Sequence, residues 1–148
     1  MLRINRQTDY AVRALLALAT REANVRLSSN TIREEMLIPK SFMPRIVAQL
    51  ANSGLVKTFA GRDGGLQLAR PAANITLRDV VEVFEGPMLL SECMQPHTKD
   101  DCPFAENCHV RSKWSRVQLA MLREMSAINF ENLARETASN PKVPFTLL

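Results

Sequence analysis

A chain of 148 residues, 46% apolar and 23% charged, can build one domain with a real core, or a small domain plus a dimerisation element, but not two full domains. No apolar run approaches bilayer length and Met1 to Arg6 lacks the apolar stretch of a secretion signal, so the expectation is a cytoplasmic protein with no membrane partner. The net charge of +4 is uneven: residues 1–78 carry twelve Lys and Arg against five Asp and Glu, and residues 79–148 carry seven against ten, which favours a polyanionic partner for the first half.

Thr8 stands in N-cap position before Val12, Leu15, Leu16 and Ala19, whose helical spacing predicts a first helix over 9–20. Ser28 or Ser29 opens a short second helix carrying Ile32 and Met36, and Leu37-Ile38-Pro39 ends it, since the residue before proline avoids helical geometry. From Lys40 the pattern Phe42, Ile46, Val47, Leu50 predicts a third helix over 40–53, with Pro44 tolerable only in its first turn and Gly54 as its left-handed stop. A short helix, a tight turn and a longer amphipathic helix are the layout of a helix-turn-helix. Strand character at 55–59 and 66–69, around Ala60-Gly61-Arg62-Asp63-Gly64-Gly65, adds a hairpin of the kind called a wing. Thr76 caps a fourth helix through Leu77, Val80, Val81 and Phe84, which Gly86-Pro87 closes.

Residues 86–107 lack periodicity and hold Pro87, Pro96 and Pro103, and a loop this long is usually functional or disordered. Cys93, Cys102 and Cys108 lie in it or at its end; an odd number of thiols in a reducing compartment points to metal or redox chemistry rather than disulfides. After it, Val110, Trp114, Val117, Met121, Met125 (or Glu124) and Ile128 step by three and four, a seam whose expected partner is its copy in a second subunit. The same helix also has an apolar surface to meet on Ala11, Leu15 and Leu18. The fold class expected is mainly α with a small β-hairpin: 1–85 a winged helix-turn-helix DNA-binding domain, 86–108 the cysteine loop, 109–138 a dimerisation helix and short terminal helix, and 139–148 a mobile tail.

The sequence resembles the Rrf-two family of bacterial transcription regulators, nearest to its iron-sulfur-binding members of the NsrR, RirA and IscR types. The resemblance runs through Thr8-Asp9-Tyr10-Ala11-Val12-Arg13-Ala14-Leu15, Ile38-Pro39-Lys40-Ser41-Phe42, Gly54-Leu55-Val56, Gly64-Gly65-Leu66-Gln67-Leu68-Ala69-Arg70, Ile75-Thr76-Leu77-Arg78-Asp79-Val80-Val81 and Glu85-Gly86, together covering roughly residues 1–125. It implies a homodimer on a palindromic double-stranded DNA operator, a repressor, with an iron-sulfur cluster, two-iron or four-iron, on Cys93, Cys102 and Cys108 that senses redox, nitric oxide or iron status. The sequence departs from the family at Ala60, where wings often carry the arginine found here at Arg62; at Leu66, usually aromatic; and at Arg111, where IscR-like members have histidine.

Thiolates are soft ligands suited to cluster iron, and three of them leave one position to fill. Asp9 resembles the aspartate that NsrR-like members supply from the opposite subunit; His109 and His97 are the alternatives, and without the resemblance Asp9 reads better as a first-turn carboxylate favoured by the helix dipole. A metal-free thiol switch ranks behind the cluster and zinc behind that, because tight zinc sites pair ligands two to four residues apart. On the DNA side, Ser41 and Arg45 are the expected base contacts, Lys40, Lys57 and Arg70 the phosphate partners, and Arg62 the minor-groove residue. No Ser/His/Asp set, phosphate-binding glycine loop or paired carboxylates suggest an enzyme. The competing classes are a small redox carrier built on the cysteine loop and a protein adaptor.

Overall fold

The computed structural model describes residues 3–95 and 102–139. Within them the chain is six helices and one antiparallel hairpin: α1 (Arg6–Ala19), α2 (Ser29–Glu35), α3 (Met43–Asn52), β1 (Val56–Phe59), β2 (Gly65–Leu68), α4 (Leu77–Glu85), α5 (His109–Ala127) and α6 (Phe130–Ser139), with 3-10 turns at Ala72–Asn74 and Glu92–Met94. This is the mainly α fold with a small hairpin that the periodicities predict.

The start of α1 differs from expectation. Asn5 is the cap, its side chain accepting the Thr8 N–H at 2.9 Å, and Thr8 lies inside the first turn with no exposed surface. Both residue types make good caps, and the choice is tertiary: the Thr8 hydroxyl donates to Glu85 at the far end of α4. The third helix also starts later than its apolar pattern suggests. Pro39 to Phe42 form a turn closed by Phe42 N–H to the Pro39 carbonyl at 3.0 Å, leaving Lys40 and Ser41 ahead of α3, and Pro44 sits where its missing N–H is not needed.

Helices α2 and α3 end in the same way. The Ile38 N–H reaches back to the Arg33 carbonyl at 2.9 Å and the Leu55 N–H to the Leu50 carbonyl at 3.0 Å, each turn needing a left-handed residue. Gly54 supplies it after α3 at φ +74°, whereas after α2 the residue is Leu37 at φ +52°, 82% exposed.

In the hairpin Val56 pairs with Leu68, Lys57 with Gln67, Thr58 with Leu66 and Phe59 with Gly65. Leu27 adds a one-residue third strand by exchanging two backbone hydrogen bonds with Leu66, at 3.0 and 2.7 Å. Gly65 makes room for it: its φ is +135°, and a Cβ there would stand 2.6 Å from the Leu27 carbonyl oxygen.

The core gathers Ala11, Ala14, Leu15 and Leu18 of α1 with Ile32, Ile46, Leu50, Ile75 and Val80, and the alanines let neighbouring elements approach closely. Phe130 of α6 is fully buried in it, with Leu133 and Ala134 alongside. Helix α4 therefore does not complete the core by itself. Residues 128–130 return to the start of α4, with Leu77 N–H on the Ile128 carbonyl at 2.8 Å and Phe130 N–H on the Ile75 carbonyl at 3.0 Å. Helix α5 lies against α4 and contains no buried residue. Val110, Trp114 and Val117 of its seam are 60%, 44% and 52% exposed, and Leu119, outside the predicted seam, is exposed too.

Candidate nucleic-acid interface and cysteine loop

Helix α3 is anchored by Met43, Ile46 and Leu50, all buried, which leaves Arg45 exposed in its first turn. Lys40 and Ser41 are exposed in the turn before it. That end of the helix is fixed to α1 by an edge-to-face contact between Tyr10 and Phe42, ring centres 5.0 Å apart, and further along by Gln7 Nε2 donating to Gln49 Oε1. Lys40, Ser41 and Arg45 thus share one solvent-facing end of the helix-turn-helix.

The wing carries Arg62 at its exposed tip, beside Gly61 at φ +93°. Arg26, which nothing in the sequence pattern singles out, braces it: the guanidinium lies 3.6 Å from the centre of the Phe59 ring and Nη1 donates to the Asp63 carbonyl at 3.3 Å. Lys57 is exposed on β1, opposite Gln67. Arg70 lies beyond β2 and pairs with Asp79, at 3.4 Å, the residue that closes the Thr76 capping box of α4. The six candidate DNA contacts therefore fall into three places: the front of α3, the wing tip, and the hairpin root where Lys57 and Arg70 lie.

The cysteine loop is tied to α5. Leu90 N–H donates to Gln118 Oε1 at 3.1 Å, and Cys93, in the 3-10 turn, has its sulfur 3.1 Å from the Ser91 hydroxyl. Cys108 is the N-cap of α5, its sulfur accepting the Arg111 N–H at 3.3 Å. All three cysteines are free thiols and half-buried. By chemistry the donor set fits a cluster, yet among the described residues no three His, Cys, Asp or Glu side chains converge on a point that could hold a metal ion. The stretch 96–101 within the loop, His97 included, lies outside the described residues, as does the expected tail apart from Ser139, which ends α6. His109 is exposed at the first position of α5.

Asp9 stands in the first turn of α1 and pairs with Arg13 at 2.7 Å, an i,i+4 ion pair. Beside it is a polar knot that sequence reasoning left without a role. Glu85 Oε1 accepts from the Thr8 hydroxyl and, at 2.9 Å, from the Asn5 backbone N–H. Burial pushes the Glu85 carboxyl up, but the bonds from Thr8 and Asn5 outweigh it and hold the group below its ordinary value. The knot locks the front of α1, and so Asp9, to the residue preceding Gly86, where the cysteine loop departs.

The sequence profile of the Rrf2 (Rrf-two) family, described as "Iron-dependent Transcriptional regulator", matches residues 4–136. The chain belongs to the Rrf2 family. The chain is 30% identical over 146 residues to Protein aau3 of Rhizobium meliloti (strain 1021), covering 99% of this chain and 92% of that protein. It is 28% identical over 138 residues to the HTH-type transcriptional regulator NsrR of Geobacillus kaustophilus, covering 93% of each. Its fold is similar to that of CymR (YrzC), the global cysteine regulator of B. subtilis, with a TM-score of 0.76, 27% identity, and 93% of this chain and 99% of that one covered. Rrf2 proteins are transcription regulators, not enzymes. The described part of the chain has no helix long and apolar enough to cross a membrane.

Proposed function

We propose that this Rrf2 regulator is a homodimeric repressor that reads a palindromic operator and whose DNA affinity is set by an iron-sulfur cluster on Cys93, Cys102 and Cys108. The observation that carries the reading is the state of α5: a helix of 19 residues with none buried, an exposed apolar face, and a cysteine sulfur capping its first turn. Exposing Val110, Trp114 and Val117 together is unfavourable, and a second copy is the partner with a matching face. A dimer seam capped by a candidate ligand links the loop's chemistry to the spacing of two recognition helices, the quantity a palindromic site measures.

In this reading Ser41 and Arg45 face base edges, with Arg45 able to pair with guanine in two hydrogen bonds. Lys40 and Lys57 meet phosphates, Arg62 enters the minor groove, and Arg70 has to exchange Asp79 for a phosphate. Support for iron comes from the family description and from the three half-buried thiols. When bound, the cluster supplies a group that redox change, nitric oxide or iron loss can alter. Asp9 is the proposed fourth ligand, which requires it to leave Arg13; His109, exposed at the start of α5, and His97, outside the described residues, are the alternatives.

The experiment is anaerobic purification with absorption spectroscopy and iron and sulfide analysis, followed by anisotropy titration of operator DNA in rising salt. The expected result is a coloured protein whose affinity falls steeply with salt and responds to cluster loss, a response that Cys102→Ala removes. The competing reading, favoured by likeness to the cysteine regulator CymR, is a thiol-based regulator without metal. A colourless, iron-free protein whose DNA binding responds to thiol oxidation would establish that reading, and zinc in place of iron would establish a zinc-dependent one.

A further inference from the structure

A cleft of about 490 Å³ opens beside the root of the hairpin, between the last turn of α1, the 21–25 segment, the end of β2 and α6. The size is that of a small-molecule site, and the 24–27 segment on its wall is tied to β2 twice: Leu27 is bonded to Leu66, and Gln67 Nε2 donates to Asn24 Oδ1 at 3.3 Å. Leu18, Leu68 and Ala72 give it apolar surface.

The charges around this surface are unequal. Lys57 has no carboxylate within ion-pair distance among the described residues, and Arg70 meets Asp79 at 3.4 Å through one nitrogen, leaving further N–H donors of its guanidinium. The third cation, Arg21, is held by Glu35. Of the two carboxylates on the wall, Glu131 is drawn to Arg135, at 3.5 Å, leaving Glu22. Cationic donors beside an apolar surface match a ligand with an anionic head and a short apolar body.

From this juxtaposition of Lys57, Arg70 and the Leu18, Leu68 and Ala72 surface, we infer that the cleft is a binding site for a small organic carboxylate with an apolar tail. The site is separate from the cysteine loop and does not rest on the cluster reading; its two cations are those proposed above for DNA phosphates, so ligand and DNA compete for Lys57 and Arg70. A ligand there would touch β1, β2 and the end of α1, and so join the wing's root to the body of the domain.

The test uses the full chain, ¹⁵N-labelled, titrated with hexanoate, 1-hexanol and hexylammonium, so that binding is read without DNA or cluster. Hexanoate should move the amides of residues 18–25 and 67–72 saturably, with the alcohol and the ammonium weaker. Lys57→Gln, a surface exchange, should weaken hexanoate by about fivefold, the upper range for an exposed charge. Ala72→Trp, which fills the cleft, should abolish the shifts while the α5 amides keep their positions. Non-saturable shifts, equal binding of the alcohol or the ammonium, or unchanged affinity in Lys57→Gln would overturn the assignment.

Discussion

Replacing Thr8 by Val tests the polar knot between α1 and α4. Valine keeps the shape of a residue with no exposed surface and removes one O–H donor. That hydroxyl has a single proton and two candidate acceptors, Asn5 Oδ1 at 3.2 Å and Glu85 Oε1 at 2.5 Å, so the shorter bond to the carboxylate receives it. A hydrogen bond to a charged group contributes about 1.5–3 kcal/mol; Glu85 keeps its Asn5 donor and is half-exposed, so the expected loss at pH 7 is at the lower end, about 1.5 kcal/mol. The carboxyl is held below its ordinary value of 4.5, so its contribution is fully present above that value and fades as pH falls through the lowered one. Urea unfolding of wild type and variant at pH 7 should therefore show a midpoint lower by about 0.5–1.5 M, given slopes of about 1–3 kcal/mol/M, and the gap should narrow steadily below pH 4.5. An equal gap at pH 7 and in acid, or none at pH 7, refutes the reasoning.

Gly65→Ala should destabilise by about 2 kcal/mol or more and loosen the wing, because the new methyl meets the Leu27 carbonyl in a backbone region hostile to side chains; the thermal midpoint reads it. Leu37→Gly should act in the opposite direction, raising stability by about 1 kcal/mol in urea titration, since a largely exposed side chain is lost and left-handed strain relieved. Phe130→Ala should cost about 3–5 kcal/mol despite its place near the chain's end, visible in calorimetry as a much lower transition. Val117→Glu should leave the fold intact by circular dichroism, because the position is exposed, while sedimentation shows monomers and operator affinity collapses; a dimer of unchanged stability would sink the seam.

What could be read from sequence was what is local. The Thr76 cap, the Gly54 stop and the hairpin each depend on residues within a few positions, and the structure forms them near the expected bounds. Thr8 was legible as polar at a helix start, but only a carboxylate 77 residues away decides that it is buried rather than capping. The start of α3 slipped because Phe42 fits the apolar pattern equally as a turn residue. Leu27 as a strand, Arg26 beneath the wing and Phe130 in the core carry no periodic signal, since each owes its place to a distant partner. For the candidate site, residue type was readable and arrangement was not: Lys40, Ser41 and Arg45 do gather, whereas Arg70 turned out to have Asp79 beside it.

The fold-back of Phe130 has a consequence for how the protein is born. A ribosome releases residues in order, and domains ordinarily fold as they emerge. Here the helix-turn-helix and wing leave first, and the Phe130 ring buried in their core follows about 110 residues downstream of α1, after the cysteines have also been made. A nascent chain therefore has no finished reading head before its loop exists.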